Sequence, residues 1–342
     1  MFSSLLGNKE AFIIAEVGQN HQGDPELALR YVREFARIGA NAIKFQTRNN
    51  KVLFSEEAYI KPYESENAFA ETYGQHREAL ELPINFLKEL RDECRKFNVK
   101  FMSTPFDEPS LNILVELDID ILKVASFDLG NLPFIKKIAQ TNRPTVLSVG
   151  GGNIRQIQSS VEILNAYCNE VAVLHCVSEY PCPYNRLGLD QIQKLQELFP
   201  KNVIGLSDHF NGISSGPVSY MKGARVFEKH VTFDRTWKGT DHSFALNPDA
   251  FRKFCRDIRR IPEMLTPKDF SEIGKETVFK KLGKSLIAMN NISAGEYLTI
   301  DNLSGKIFSK TYIPVRDSLN VIGKRLKFDV LAGEPLQLEM FE

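Results

Sequence analysis

The chain has no imbalance of charge. Its 43 Lys plus Arg are matched by 43 Asp plus Glu, a formal net charge of zero. No basic field invites nucleic acid, and no basic amphipathic stretch marks a membrane-surface segment. Long hydrophobic runs are missing as well. The longest are strand-sized, far short of the ~20 residues of a membrane span. The opening MFSSLLGNKEAF is too short and polar for a secretory signal. Cysteine is scarce: Cys94, Cys168, Cys176, Cys182 and Cys255 are odd in number, and none forms a C-x-x-C pair. That argues against a disulfide framework and against a zinc or dithiol site, so we read reduced thiols in a cytoplasmic protein. The glycine fingerprint of a dinucleotide fold, G-x-G-x-x-G, is absent after the first strand.

What is present is a repeating alternation. Apolar runs at 11–17, 42–47, 99–105, 121–126, 145–150, 171–178, 203–209 and 225–232 read as buried strands. Helical patterns fill the gaps, such as 187–199 with Leu189, Ile192, Leu195 and Phe199 on one side. Eight strands alternating with helices fit a closed (β/α)8 TIM barrel, with a doubly wound open sheet as the alternative. The connection 48–83 is long for a compact domain. It is either a lid over the barrel mouth or a structural excursion. A helix is expected at 259–281, running into a charged connector with Pro262 and Pro267. Residues 294–298 (Ala-Gly-Glu-Tyr-Leu) and 332–336 (Ala-Gly-Glu-Pro-Leu) then echo each other. The expected organisation is a barrel at 1–262, a linker at 263–282 and a small β-rich domain at 283–342.

The carboxyl ends of barrel strands carry chemistry, and here they are polar. Glu16, Asn20 and His21 follow the first strand, and Lys44 and Gln46 share a face of the second. Next come Ser103, Thr104, Lys123, Ser126, Asp128, Ser148, the Gly150-Gly151-Gly152 turn, His175, Ser178, Glu179 and Tyr180. The last two strands end in Ser207, Asp208 and His209, and in Glu228 and His230, with Asp241 beyond. Two imidazoles leaving adjacent strand ends can share one divalent metal. Lys44 and Lys123 in apolar strands need a partner charge or an anion. Together with hydroxyls and glycine amides they form a cradle for phosphate and carboxylate. Internal salt bridges to Glu16 or Glu228, or a Schiff-base lysine, are the other readings of these lysines.

The strings AEVGQNHQGD, AIKFQT, STPFDEPS, LKVAS, LHCVSEYP, GLSDH, EKHVTFDR and GTDHSF, in this order, resemble the sialic acid (nonulosonate) synthase family. The Ala-Gly-Glu-containing tail resembles its C-terminal antifreeze-like (SAF, β-clip) domain. The resemblance implies a cytoplasmic, domain-swapped homodimer that condenses phosphoenolpyruvate with an N-acetylmannosamine-like aldose and releases phosphate. It implies that His209 and His230 hold a divalent metal, usually Mn2+, with Mg2+ or Co2+ as alternatives. Lys44, Thr104, Lys123, Ser126, Ser148 and Ser207 would hold phosphoenolpyruvate. Gln46, Asp128, Tyr180 and Asp241 would face the sugar, with Ser178 where many relatives have asparagine and Glu16 at the site floor. Glu16, Lys123, Asp128 and Asp241 are the expected catalytic groups. Three departures fall at the sugar end. Lys306-Ile307-Phe308 stands for the family's Lys-Arg-Pro, with Arg316 ten residues after Lys306; Asp128 stands for the usual glutamate; and the glycine run replaces Thr-Gly-Met. Legionaminic- or pseudaminic-type precursors, or a sugar lacking the N-acetyl group, therefore stay open as substrates, as does a non-catalytic sugar-phosphate-binding homologue.

Overall fold

The computed structural model describes residues 1–342 apart from the side chain of Lys280. Eight parallel strands close on themselves in chain order. They are β1 (Phe12–Gly18), β2 (Ala42–Thr47), β3 (Lys100–Pro105), β4 (Ile121–Val124), β5 (Thr145–Ser148), β6 (Val171–Cys176), β7 (Val203–Asp208) and β8 (Val226–His230). Several end one or two residues short of their apolar run, because the chain turns into a loop where the polar residues begin.

Alternation along the strands sorts two cores. The outward residues, such as Ile13, Ala15, Ile43, Phe45, Phe101, Leu206 and Phe227, pack under the helices. The inward residues Ile14, Ala42, Met102, Ile121, Val146, Ala172, Val203 and Val226 fill the amino end of the barrel, where Phe2 and Leu5 join them. Gly205 is required inside that layer, because a Cβ there would lie 2.1 Å from Val226 O and 2.5 Å from Leu174 Cδ2. At the next inward position, two residues on, β1 to β5 and β8 turn polar, with Glu16, Lys44, Thr104, Lys123, Ser148 and Glu228.

The helices are capped as their sequences direct. Asp24 accepts from Glu26 N and Leu27 N ahead of Pro25–Arg37, and Asn153 closes a capping box with Gln156. The helix expected over 259–281 runs instead over Pro248–Met264. Asn247 caps it, and Phe251, Phe254, Cys255, Ile258 and Ile261 form its buried face. Pro262 lies in its last turn rather than in a connector. The expected helix at 187–199 is confined to Gln191–Leu198. Segment 48–83 holds three short helices, Asn50–Leu53, Glu56–Ile60 and Tyr73–Ala79.

The chain divides into compact units Met1–Leu265 and Thr266–Glu342. The second contains an antiparallel pair, β9 (Ser285–Ala288) and β10 (Leu303–Lys306), over its own core of Leu286, Ile292, Leu298, Leu326, Val330 and Leu336. Its two Ala-Gly-Glu turns are built alike. Gly295 and Gly333 have φ of +87° and +83°, a left-handed conformation natural to glycine. Glu296 and Glu334 each accept from the backbone three residues back, at Ser293 N and Leu331 N. No helix among the described residues is long and apolar enough to cross a membrane.

Candidate active site

Strand register assembles the site. In β1–β2, Glu16 lies opposite Lys44; in β1–β8 it lies opposite His230. Gln46 lies opposite Thr104, and Ser207 opposite Glu228. The inward residues above the apolar layer thus form one polar tier, walling a cavity of about 840 Å3 at the carboxyl ends of the strands. Of the residues singled out from sequence, Glu16, Lys44, Gln46, Thr104, Lys123, Ser126, Ser148, Tyr180, Ser207, His209, His230 and Asp241 all line it.

Asp128 and Ser178 are set back from the cavity wall. The Asp128 carboxylate accepts from Asn131 Nδ2 at 3.0 Å, and Phe127 takes the lining position. Ser178 Oγ lies 3.0 Å from Ser126 Oγ, behind the lining hydroxyl. His175, named at the end of β6, faces outward, with Nε2 2.7 Å from Leu187 O; the cavity receives Cys176 instead. His21 also points elsewhere: its Nδ1 accepts from Gly23 N, and its ring packs on Phe45. The glycine turn lends no lining residue. Gly150 is pressed against Ser178 Oγ, which a Cβ would approach to 2.6 Å.

The buried charges form a network. Lys44 Nζ lies 2.8 Å from Glu16 Oε2 and 3.7 Å from Glu228 Oε1, and donates to Thr104 Oγ1 at 3.4 Å. Burial works to lower the Lys44 pKa, but the two carboxylates outweigh it and hold the ammonium charged. Burial, with Glu228 adding to it and Lys44 opposing, pushes Glu16 up to about 7. Burial would also raise Glu228, but Lys44 and Lys123 hold it below the usual range. Lys123 donates to Val124 O at 2.8 Å and has no carboxylate within 4 Å among the described residues. Burial lowers its pKa. The lysines therefore divide between the readings drawn from sequence: Lys44 is salt-bridged and Lys123 is free to meet an anion.

The two histidines stand side by side, ring centroids 5.3 Å apart. Tyr180 packs on His209 at 4.1 Å, and Phe244 on His230 at 5.1 Å. His209 Nδ1 donates to Val177 O at 2.8 Å, which leaves Nε2 with its lone pair. His230 Nδ1 makes no hydrogen bond and lies 3.6 Å from Asp241 Oδ2. Burial lowers both pKa values, and His209 lowers His230 further, so both rings are neutral, as ligation requires. On the outer side of the same strand ends, Lys229 Nζ lies 2.6 Å from Asp208 Oδ2, both side chains fully buried.

Among the described residues no group of three His, Cys, Asp or Glu is arranged to hold a metal. The two imidazoles are nonetheless suited to one as a partial donor set, to be completed by water and substrate oxygens. His230 Nδ1, Glu228 Oε2 and Ser148 Oγ are buried cavity atoms that make no hydrogen bond within the protein. Such atoms are costly without a polar occupant.

Sequence reading missed a further group. Segment 48–83 contributes Leu53, Phe54, Asn67, Tyr73 and Arg77 to the cavity wall, and Arg48 precedes them just past β2. Arg48 continues the inward face of Lys44 and Gln46 by period-two alternation, a signal available in the sequence. Arg77 has no comparable signal. In the second unit, Arg316 Nη1 donates to Gly274 O at 2.6 Å.

Comparison with known proteins agrees with this architecture. The profile of the NeuB family matches residues 31–269. The chain is 34% identical over 337 residues to the N-acetylneuraminate-9-phosphate synthase of Mus musculus, covering 98% of this chain and 94% of that protein. It is 36% identical over 304 residues to the N,N'-diacetyllegionaminic acid synthase of Campylobacter jejuni, covering 87% and 90%. Among solved structures, the N-acetylneuraminic acid synthetase of Leptospira borgpetersenii, in complex with citrate, is 33% identical with a TM-score of 0.68, covering 80% of this chain and 92% of that one.

Proposed function

The chain belongs to the NeuB family, and from that premise we propose that it is a nonulosonic acid synthase. It joins phosphoenolpyruvate to the aldehyde carbon of a 2-acetamido aldose and releases inorganic phosphate. The observation that carries this reading is one cavity where two imidazoles with ring centroids 5.3 Å apart, Lys123 with no carboxylate within 4 Å among the described residues, and a row of hydroxyls converge.

His209 and His230 would hold the divalent ion, Mn2+ first and Mg2+ or Co2+ as alternatives. When bound, it supplies Lewis acidity toward the sugar's carbonyl oxygen. Lys123, Lys44 and the hydroxyls of Thr104, Ser126, Ser148 and Ser207 bind the carboxylate and phosphate of the enol. Gln46, Tyr180 and Asp241 orient the sugar. Carbon 3 of the enol attacks the aldehyde carbon, whose oxygen takes up a proton. Water adds at carbon 2 and gives its proton to a carboxylate. We assign that transfer to Glu16, which lines the cavity and whose pKa burial raises to about 7. The new hydroxyl at carbon 2 then passes its proton to the departing phosphate as the carbon–oxygen bond breaks, leaving a 2-keto acid and inorganic phosphate. The enol supplies carbons 1–3 of a nine-carbon product, so carbon 6 of a hexose becomes carbon 9. No lysine imine is required.

The second unit, 266–342, is assigned as SAF-like on its small sheet and paired Ala-Gly-Glu turns. A homodimer located in the cytoplasm completes the reading. Phosphate release on mixing the protein with phosphoenolpyruvate, manganese and N-acetylmannosamine or its 6-phosphate tests the reaction. No release with any 2-acetamido aldose overturns it and favours a non-catalytic sugar-phosphate-binding role. Light scattering tests the dimer.

A further inference from the structure

The cavity has a second cationic pole, which the condensation does not use. Arg48 and Arg77 both line it. The Arg48 side chain is only 4% exposed. Its guanidinium stacks on Phe106 at 4.5 Å and is fixed by a bond from Nη2 to Gln46 Oε1. Its Nη1 lies 3.2 Å from Glu81 Oε1 but out of line, and it makes no hydrogen bond. Arg77 comes from the helix Tyr73–Ala79, with Nε and Nη2 donating to Tyr73 Oη at 3.1 and 2.8 Å. Among the described residues no carboxylate lies within 4 Å of Arg77, so Glu81 alone is within 4 Å of either guanidinium.

A buried guanidinium N–H with no acceptor, beside a second guanidinium with no counterion, is a poor structural device. It is a good anion receptor, since a phosphoryl group accepts from two guanidiniums in parallel. The pole is one side chain removed from the polar tier: Gln46 stands between them, its Oε1 bonded to Arg48 Nη2 and its Nε2 donating to Glu16 Oε1 at 2.9 Å. Arg48 stands beyond Gln46 just past the end of β2, and Arg77 lines the cavity from the helix Tyr73–Ala79, whereas the imidazoles and lysines are strand residues or follow a strand end directly. Imidazoles and arginines line the same cavity, so a sugar with its aldehyde at the imidazoles would have its far carbons available to these arginines.

The geometry points to Arg48 and Arg77 as the recognition site for a phosphate ester on the distal carbon of the aldose, making this protein a synthase for 6-phosphorylated 2-acetamido hexoses. The inference rests on the proposed condensation and names its substrate class. Phe54 and Tyr73, edge to face at 5.3 Å, give this end of the cavity a rigid apolar flank. Glu81, raised to about 7 by burial against the pull of Arg48, opposes the pole only weakly.

The test is steady-state phosphate release from phosphoenolpyruvate with N-acetylmannosamine and with its 6-phosphate, for the wild type, Arg77→Ala and Arg77→Lys. The wild type should favour the 6-phosphate by about a hundredfold in kcat/KM. Arg77→Ala should shrink that preference ten- to hundredfold, about the effect of losing one charge-assisted contact. Arg77→Lys should restore part of it, and KM for phosphoenolpyruvate should move less than about twofold in either variant. Equal or better use of the unphosphorylated sugar overturns the inference while leaving the condensation standing. A parallel loss on both sugars, or a raised KM for phosphoenolpyruvate, also overturns it, since Arg77 would then be structural or serve the other substrate. If neither sugar yields phosphate, the condensation fails, and calorimetry decides the pole separately. Binding of N-acetylmannosamine 6-phosphate that Arg77→Ala abolishes would uphold it; no binding by the wild type would refute it.

Discussion

Replacing Lys229 by methionine should unsettle the whole carboxyl end of β7 and β8. Lys229 and Asp208 are fully buried and 2.6 Å apart. Lys229 also donates to Phe210 O, and Asp208 also accepts from Phe210 N at 2.9 Å and Ser215 Oγ at 2.5 Å. Methionine keeps most of the volume but strands a carboxylate away from water. Breaking a buried pair from one side costs about 3–5 kcal/mol. The two donors left on Asp208 place the expectation at the lower end, about 3 kcal/mol. For a unit of this size that lowers Tm by about 6–10 °C. Asp208→Asn combined with Lys229→Met removes the stranded charge, so the double variant should be more stable than the sum of the two singles by about 1 kcal/mol or more. Urea unfolding followed by circular dichroism, with a thermal scan beside it, measures both. A single variant within about 0.5 kcal/mol of wild type, the ordinary range of surface changes, would refute the reasoning. So would strict additivity.

His209→Ala and His230→Ala should each abolish phosphate release and weaken manganese binding while leaving the circular dichroism spectrum unchanged; full turnover in either under limiting metal would sink the assignment. Lys123→Ala should raise KM for phosphoenolpyruvate at least tenfold, the effect of losing one contact to a charged group, with a smaller change in KM for the sugar. His76 gives a pH dependence. Burial first, then the charges of Arg77, Lys238 and Arg48, lower its pKa to about 4, and its Nδ1 accepts from Phe69 N. The unfolded chain takes up this proton near 6.5, so the contribution is complete above that pH and drains away as pH falls toward 4. It amounts to at most about 3 kcal/mol. Hydrogen exchange across 63–77 should quicken between pH 6.5 and 4, and His76→Gln should flatten that response. Gly333→Ala should destabilise the second unit by about 1–2 kcal/mol through its φ alone, since nothing lies within 4 Å of the added methyl; an unchanged unfolding midpoint would contradict the left-handed turn.

The barrel was legible because a buried parallel strand leaves a continuous apolar run, and each run stops where polar residues begin. That boundary also made most of the site legible. Glu16, Lys44, His209 and His230 stand out as costly residues in apolar surroundings, and period-two alternation puts them on one face. Alternation fails beyond the strand ends, which is why Asp128 and Ser178 fall behind the wall and Phe127 comes forward. His175 and Cys176 show the same limit from within a strand: parity decides which faces inward, and a histidine attracts notice whichever way it points. The helix Pro248–Met264 was misplaced because Asn247-Pro248 is a stronger start signal than the charged stretch after Pro262. Arg77 stayed hidden because the fold of 48–83 rests on contacts such as His76 with Tyr63 and Tyr73, which no local period announces.

Along most staves the inward side changes character between one residue and its next-but-one neighbour: Ile14 to Glu16, Ala42 to Lys44, Met102 to Thr104, Ile121 to Lys123, Val146 to Ser148, Val226 to Glu228. The lower storey is anchored by greasy contacts that take no part in chemistry. If the proposed condensation holds, the upper storey can be refurnished for a differently decorated sugar with the foundations undisturbed. On the proposed chemistry, exchanging Gln46, Arg48 or Arg77 would be a route to new reactants on an unchanged scaffold, whereas enlarging Gly205 by one methyl would crack the floor on which every such redesign must stand.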